Sequence, residues 1–378
     1  MQVSVVNSEI RLLRVRDGCR FAYPLVWMKN NCQCPDCASQ VSGARKQVIR
    51  EFNFHSVPTD YRISNGDDTL YIKWDDGQQS TYGLQWLLER NFNDNNDYRP
   101  DHQQRIKWTA ETFPTIFQSY EYEHIIKRDE VLLDWLDSLA TYGIVMINNS
   151  GLDESRVKEL AERVGFLKRT HYGETFKVEN NLDATNLAYR SSYLQLHTDL
   201  PYYEYAPGVI MLHCIVQPES AGGESEVVDG LNVCQHMQQN HPAHYKALAT
   251  IPVMWTDRGH DNDYKFHCVH HSPIIREDRH GGVKRIKFSE HHRDSKFPVV
   301  LEDVHVWYEA VEKFVKMAYS DKLKSTFKMK PGDILTFDNH RLLHGRKSYE
   351  GSRLLIGGYL DWDLINSRIR VLKSQLSS

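Results

Sequence analysis

Leu132, Trp135, Leu136 and Leu139 recur at i, i+3, i+4 and i+7, the spacing of one helical face, and Gly143 ends the run. Residues 144–147 then read as a strand. Val157, Leu160, Ala161 and Val164 predict a second helix, capped by Asp153 or Ser155. Val304, Trp307, Tyr308, Val311, Phe314 and Val315 mark one long amphipathic helix. Beyond about residue 190 the strand-like period of two dominates. Strands are expected at 194–196, 209–215, 226–228, 285–288 and 354–359. A hairpin is expected from 327–329, through the turn Pro331-Gly332, to 334–337. Many strands and few helices point to a sandwich or jelly roll, not a doubly wound sheet. With no phosphate-cradling glycine loop, a nucleotide cofactor is not expected.

The first ninety or so residues read as a separate β-rich unit. Leu70, Ile72 and Trp74 alternate, Asp76-Gly77 signals a hairpin turn, and 84–88 reads as a short helix. A polar stretch from Asn91 to Pro100 places the boundary, giving domains 1–100 and 101–378.

Composition narrows the function. The chain of 378 residues is 40% hydrophobic and 11% aromatic, enough for a packed core and against disorder. Its 46 basic and 50 acidic side chains leave no excess of positive charge, so no nucleic-acid partner is expected. No apolar run approaches the ~18 residues of a membrane span, so no membrane partner is expected either. Residues 1–21 lack an apolar core and carry Glu9 and Asp17, which predicts a cytoplasmic protein. The seven cysteines do not pattern as a disulfide framework, and Cys32, Cys34 and Cys37 crowd into six residues. In a reducing compartment that crowding suggests a metal.

The sharpest chemical candidate is His197-Thr-Asp199. Residues i and i+2 of a strand share a face, so a histidine and an aspartate can take adjacent positions on one metal. A distal histidine completes the 2-His-1-carboxylate set of non-heme iron oxygenases. The same triplet recurs at His292-Arg-Asp294, but in a polar cluster without strand character. Either His340 or His344 can supply the third ligand. Arg353, just before the last strand, suits a bidentate grip on a dicarboxylate.

Three stretches carry a family resemblance. They are His197-Thr-Asp-Leu-Pro201, Pro207-Gly-Val-Ile-Met-Leu-His-Cys214, and Gly222-Gly-Glu-Ser-Glu-Val-Val-Asp-Gly-Leu-Asn-Val-Cys234. The tail adds Phe327-Lys-Met-Lys-Pro-Gly-Asp333, then Phe337-Asp-Asn-His-Arg-Leu-Leu-His-Gly-Arg346, then Gly358-Tyr-Leu-Asp-Trp-Asp363. Together they resemble the gamma-butyrobetaine dioxygenase family of Fe(II)/2-oxoglutarate oxygenases, over nearly the whole chain. The related trimethyllysine dioxygenases match less closely.

The resemblance implies a mainly β fold with flanking helices. A double-stranded β-helix (jelly-roll) catalytic domain would follow a small zinc-binding N-terminal domain. It implies Fe(II), 2-oxoglutarate and ascorbate as cofactors, and hydroxylation of gamma-butyrobetaine to L-carnitine. His197, Asp199 and His344 would bind iron, and Arg353 would hold 2-oxoglutarate. His340 would then only pack nearby. Tyr172, Phe176, Tyr189 and Tyr359 would cage a quaternary ammonium group, with Asn186 in the polar lining. Cys32, Cys34 and Cys37 would bind zinc, with Gln78 standing where the family pattern has a histidine, so that either a substitute such as His55 or water would be the fourth ligand, or the site would be lost. A homodimer is implied as well. Phe176 stands in place of Trp, Leu200 in place of Tyr, and Ser289-Glu290 in place of an Asn pair near the substrate carboxylate. The alternatives are a related trimethylammonium substrate such as trimethyllysine, or a non-catalytic metal-binding member of the fold.

Overall fold

Two compact units divide the chain, Met1–Pro100 and Asp101–Ser378. The structure, a computed structural model, describes residues 1–64, 68–92, 104–179, 191–219, 221–261 and 264–377. In the first unit, Gln2–Val6, Glu9–Arg14 and Cys19–Pro24 form one antiparallel sheet, and Pro58–Ile63, Thr69–Trp74 and Gln79–Gly83 another. Leu70, Ile72 and Trp74 all point inward and pack with Ile10, Leu12, Tyr23 and Met28. The turn after Trp74 closes with Gly77 at φ +83°, a left-handed geometry that glycine adopts without strain. Leu84–Leu88 is helical.

The second unit is a sandwich. Its larger sheet runs, in spatial order, Ser119–Glu121, Ile144–Asn148, Ile334–Asp338, Val209–Val216, Leu354–Leu360 and Thr175–Glu179. The smaller runs Leu194–His197, Leu342–Arg346, Ser225–Asp229 and Lys324–Phe327. From Leu194 onward, successive strands of the sandwich alternate between the sheets, except that Ser225–Asp229 and Lys324–Phe327 are neighbours in the smaller one; this is the winding of a double-stranded β-helix. The large sheet is apolar on both sides because both are covered. Ile210, Leu212 and Cys214 face the core between the sheets, while Val209 and Met211 face the opposite side. Helices Asp129–Tyr142, Arg156–Val164 and Trp362–Leu376 cover that opposite side with Leu132, Trp135, Leu136, Leu160 and Ile365. Helix Leu301–Ala318 packs on helices Gly230–Asn240 and Pro242–Thr250 and buries Trp307, Ala310 and Phe314 in one cluster with them.

The expected hairpin at Pro331-Gly332 does not form. Lys324–Phe327 pairs with Ser225–Asp229 in the small sheet, whereas Ile334–Asp338 pairs with Val209–Val216 and Ile144–Asn148 in the large one. A turn signal between two apolar runs encodes a reversal. It does not encode whether the runs bond side by side or face each other across a core. The 285–288 strand is displaced to Val283–Ile286, in a two-stranded ribbon with Ile275–Glu277. Helix Arg156–Val164 has no side-chain cap; Asp153 instead accepts from the Ser155 N–H at 2.9 Å. The long hairpin Val253–Asp261/Tyr264–Ser272 is not legible in the hydrophobic pattern.

Candidate 2-His-1-carboxylate centre

His197 ends its strand, and the antiparallel register sets it directly opposite His344. Their rings lie 4.2 Å apart. Pro201 lies just past the strand end, and Asp199 turns back to the same side. Its Oδ1 lies 3.3 Å from His197 Nε2 and 3.5 Å from His344 Nε2. One donor atom from each of the three residues lies within 4.8 Å of the others, a separation one ion can bridge.

The supporting bonds fix how each ligand presents itself. His197 Nδ1 lies 2.9 Å from the Gln195 carbonyl, which can only accept. The ring proton therefore sits on Nδ1 and the Nε2 lone pair faces the centre. Burial, aided by His197, lowers the His344 pKa to about 3, which keeps that imidazole in its neutral, ligating form. The Tyr359 hydroxyl donates to Asp199 Oδ2 at 2.8 Å, leaving Oδ1 toward the histidines. Asn339 holds the Asp199 backbone. Its Oδ1 accepts from the Asp199 N–H at 2.7 Å, and its Nδ2 donates to the carbonyls of Asp199 and Pro207 at 3.0 Å. Asn339 lies in a stretch that carried the resemblance, yet nothing local in the sequence assigns it this task.

The centre opens into a cavity lined also by Tyr172, Phe176, Tyr202, His291, Arg353 and Tyr359. Arg353 is 7% exposed, its Nε has no partner, and no carboxylate pairs with it among the described residues. Burial first, then Arg346, lowers its pKa to about 10. A buried, uncompensated guanidinium costs several kcal/mol, so the site is built to receive an anion. Arg346, also buried and lining the cavity, donates to the Ser192 carbonyl at 2.8 Å.

Aromatic rings form a continuous chain of contacts, all but His171 lining the cavity. Tyr359 stacks on Phe176 at 5.0 Å, and Phe176 meets Tyr172 at 5.9 Å. His171 links Tyr172 to Tyr202, at 4.0 and 5.9 Å. Tyr202 then meets His292 at 5.0 Å, and His292 meets His291 at 6.4 Å. Gly357 makes room for this wall, because a Cβ there would lie 2.2 Å from the Phe176 ring. Mid-strand glycine is the one sequence signal that points to such a close approach. Tyr202 and His291 carried no recognisable motif, and His292 appeared only as the start of the second His-x-Asp triplet. Tyr189 and Asn186 lie outside the described residues.

Two family models match: the taurine catabolism dioxygenase TauD/TfdA family over residues 98–359, and the gamma-butyrobetaine hydroxylase-like N-terminal family over residues 6–88. Gamma-butyrobetaine dioxygenase of Homo sapiens is 37% identical over 374 residues, covering 94% of this chain and 92% of its own. This chain belongs to the gamma-butyrobetaine dioxygenase family. The Pseudomonas sp. (strain AK-1) gamma-butyrobetaine dioxygenase is 30% identical over the same shares. Trimethyllysine dioxygenase of Gallus gallus is 26% identical, over 93% of this chain and 84% of its own.

Within the gamma-butyrobetaine dioxygenase family the departures of this chain now have places. Leu200 lines the cavity in a left-handed conformation, φ +52°. Glu290 is bound by Arg293 at 2.6 Å and does not line the cavity, so it does not confront a substrate carboxylate. Ser289 is fully buried with its Oγ 2.9 Å from His292 Nδ1. His340 Nε2 lies 3.1 Å from the Ala206 carbonyl and is not among the converging ligands. Asp294 does not join His292 at a metal; its Oδ1 accepts from the Lys296 N–H at 2.9 Å.

In the first unit, Cys32, Cys34 and Cys37 bring their sulfurs within 4.8 Å of one another. Gln78 Nε2 donates to Cys37 Sγ at 3.0 Å. His55 is exposed and not part of this group. The three thiols fit a soft ion, with an amide rather than an imidazole at the fourth side.

Proposed function

We propose that this chain hydroxylates gamma-butyrobetaine to L-carnitine, with Fe(II), 2-oxoglutarate and ascorbate. One observation carries the reading: His197, Asp199 and His344 converge at the edge of a cavity that also holds an aromatic wall and a buried Arg353 with no carboxylate partner among the described residues. The three side chains would occupy one face of iron and leave three positions open. Iron with 2-oxoglutarate supplies the oxidation, in which dioxygen gives one oxygen atom to a substrate C–H bond and one to succinate, with loss of CO2. Arg353 binds the far carboxylate of 2-oxoglutarate and so orients its keto acid toward the histidines. The faces of Tyr172, Phe176 and Tyr359 receive the trimethylammonium group, which has no N–H to donate and is held by cation–π attraction. Tyr359 thus does two things at once, since its hydroxyl also holds Asp199 Oδ2.

The same reading places structural zinc in the Cys32, Cys34, Cys37 cluster of an N-terminal domain. Because the Gln78 amide donates to sulfur, it supports a thiolate and leaves the fourth zinc position to water. A homodimer rests on the resemblance alone, and a cytoplasmic location on the sequence reading alone. The test is NMR of the purified protein with Fe(II), 2-oxoglutarate, ascorbate and gamma-butyrobetaine. Succinate and hydroxylated product should form one-to-one. Succinate without product would sink the substrate assignment, and no 2-oxoglutarate turnover with any trimethylammonium substrate would leave a non-catalytic member of the fold.

A further inference from the structure

We propose that Lys287, which does not itself line the cavity, is a positioning residue for the cavity wall: its amine clamps the turn that carries Leu200 and Tyr202. The proposal rests on the reading of this cavity as the substrate site.

Lys287 is 5% exposed, and its Nζ donates to two main-chain carbonyls, those of Tyr203 at 2.6 Å and Pro201 at 3.2 Å. A lysine buried against neutral partners is rare, and simple packing would put an aliphatic side chain there. The backbone it grows from is itself fixed. The Lys287 N–H donates to the Ile274 carbonyl at 2.8 Å, and the Ile286 N–H to the His340 carbonyl at 2.8 Å. Phe288 is joined to Thr198 both ways: its carbonyl accepts from the Thr198 N–H at 2.7 Å, and its N–H donates to Thr198 Oγ1 at 3.0 Å. The amine therefore reaches the turn from a rigid platform.

The turn needs holding. Leu200 is left-handed, φ +52°, a conformation that L side chains disfavour by a factor of about 5–30 in population. The first half of the turn has its own supports, since Asn339 bonds the Asp199 backbone and Tyr359 bonds its carboxylate. The second half presents Leu200 and Tyr202, both buried, to the cavity. Its main chain is closed by the Tyr203 N–H, which donates to the Leu200 carbonyl at 3.0 Å, and by Lys287. Loss of the amine thus frees the wall and leaves the metal ligand in place.

The test starts from Lys287→Met, which keeps the stem and removes the donors. In the full-length Mn(II)-loaded enzyme, hydrogen exchange of the peptide spanning 199–204 should quicken by about 5- to 30-fold. KM for gamma-butyrobetaine should rise by about that factor, because only the wall-closed fraction binds, and hydroxylated product should fall below one per succinate. KM for 2-oxoglutarate and affinity for Mn(II) should stay within about twofold of wild type. Lys287→Gln, which restores N–H donors on a shorter stem, should recover part of the loss. In a Leu200→Gly background the left-handed turn carries no penalty, so Lys287→Met should there change exchange by less than about twofold. A lysine that merely stabilises the fold would lower Tm equally in both backgrounds and leave KM and the product-to-succinate ratio alone. Unchanged exchange and KM in Lys287→Met overturn the clamp. So does an equal effect in both backgrounds, or a fall in Mn(II) affinity that matches the rise in KM. Should Lys287→Met fail to fold, Lys287→Gln carries the same comparison. If the wild-type enzyme consumes 2-oxoglutarate but hydroxylates no gamma-butyrobetaine, the substrate reading fails, and hydrogen exchange alone decides the clamp.

Discussion

Replacing Arg341 with methionine tests whether the site is held from behind by a buried ion pair. Arg341 and Asp229 both have side chains 0% exposed. Nε donates to Oδ1 at 3.0 Å and an Nη donates to Oδ2 at 2.8 Å, a bidentate pair. The guanidinium also donates to the carbonyls of Thr141 and Ile106. Asp229 further accepts from the N–H groups of Trp108 and Leu231, each at 3.0 Å, the second of these capping helix Gly230–Asn240. Arg341→Met fills the volume but leaves an unpaired carboxylate in the interior. Removing one partner of a buried pair costs about 3–5 kcal/mol. At about 2–4 °C per kcal/mol for a large domain, Tm of the metal-free protein should fall by roughly 6–20 °C. Adding Asp229→Asn should recover a good part of this loss. The amide oxygen still caps the helix, and the stranded charge is gone. Differential scanning calorimetry with near-UV circular dichroism gives both numbers. A single variant within about 2 °C of wild type, or a double variant less stable than the single, would refute the reasoning. Arg341 stands between Asn339, which holds Asp199, and His344, so the pair braces the ligand-bearing segment.

Three further outcomes are expected. Gly357→Ala, whose Cβ would lie 2.2 Å from the Phe176 ring, should raise KM for the trimethylammonium substrate several-fold. Substrate-free 2-oxoglutarate turnover, followed as succinate, should stay level. Arg353→Met should raise KM for 2-oxoglutarate by about 100-fold or more, yet leave the metal-free protein at least as stable, because a buried cation without a carboxylate is removed; a lower Tm would count against the uncompensated charge. Burial foremost lowers the His340 pKa to about 4 from an ordinary 6.5. The unfolded chain therefore binds the extra proton first as pH falls. Stability is complete above about pH 6.5 and declines toward pH 4, by up to about 1.4 kcal/mol per pH unit for this one group. His340→Asn should flatten the slope of a urea-denaturation series across that window by about one proton; an unchanged slope would exclude His340 as a contributor.

Local periodicity alone determined a good deal of this protein. The helices around Leu132 and Trp307 and the alternating strands could be read because burial of one face imposes its period on neighbours in sequence. The same holds for His197 and Asp199, which need only a strand end to share a side, and for the cysteine trio, which needs only a short loop. The distal ligand was different. His340 and His344 were equivalent until the resemblance separated them, and the physical reason is cross-strand register: His344 lies opposite His197, while His340 turns to the Ala206 carbonyl. Register is a long-range property that no window of sequence contains. The Pro331-Gly332 turn misled for the same reason, since its flanking strands belong to different sheets. Asn339 and Gly357 acquire their tasks only from neighbours far away along the chain: the Asp199 backbone and the Phe176 ring. Tertiary structure decided these because a hydrogen bond or a contact needs two partners, and only folding brings the second one into place.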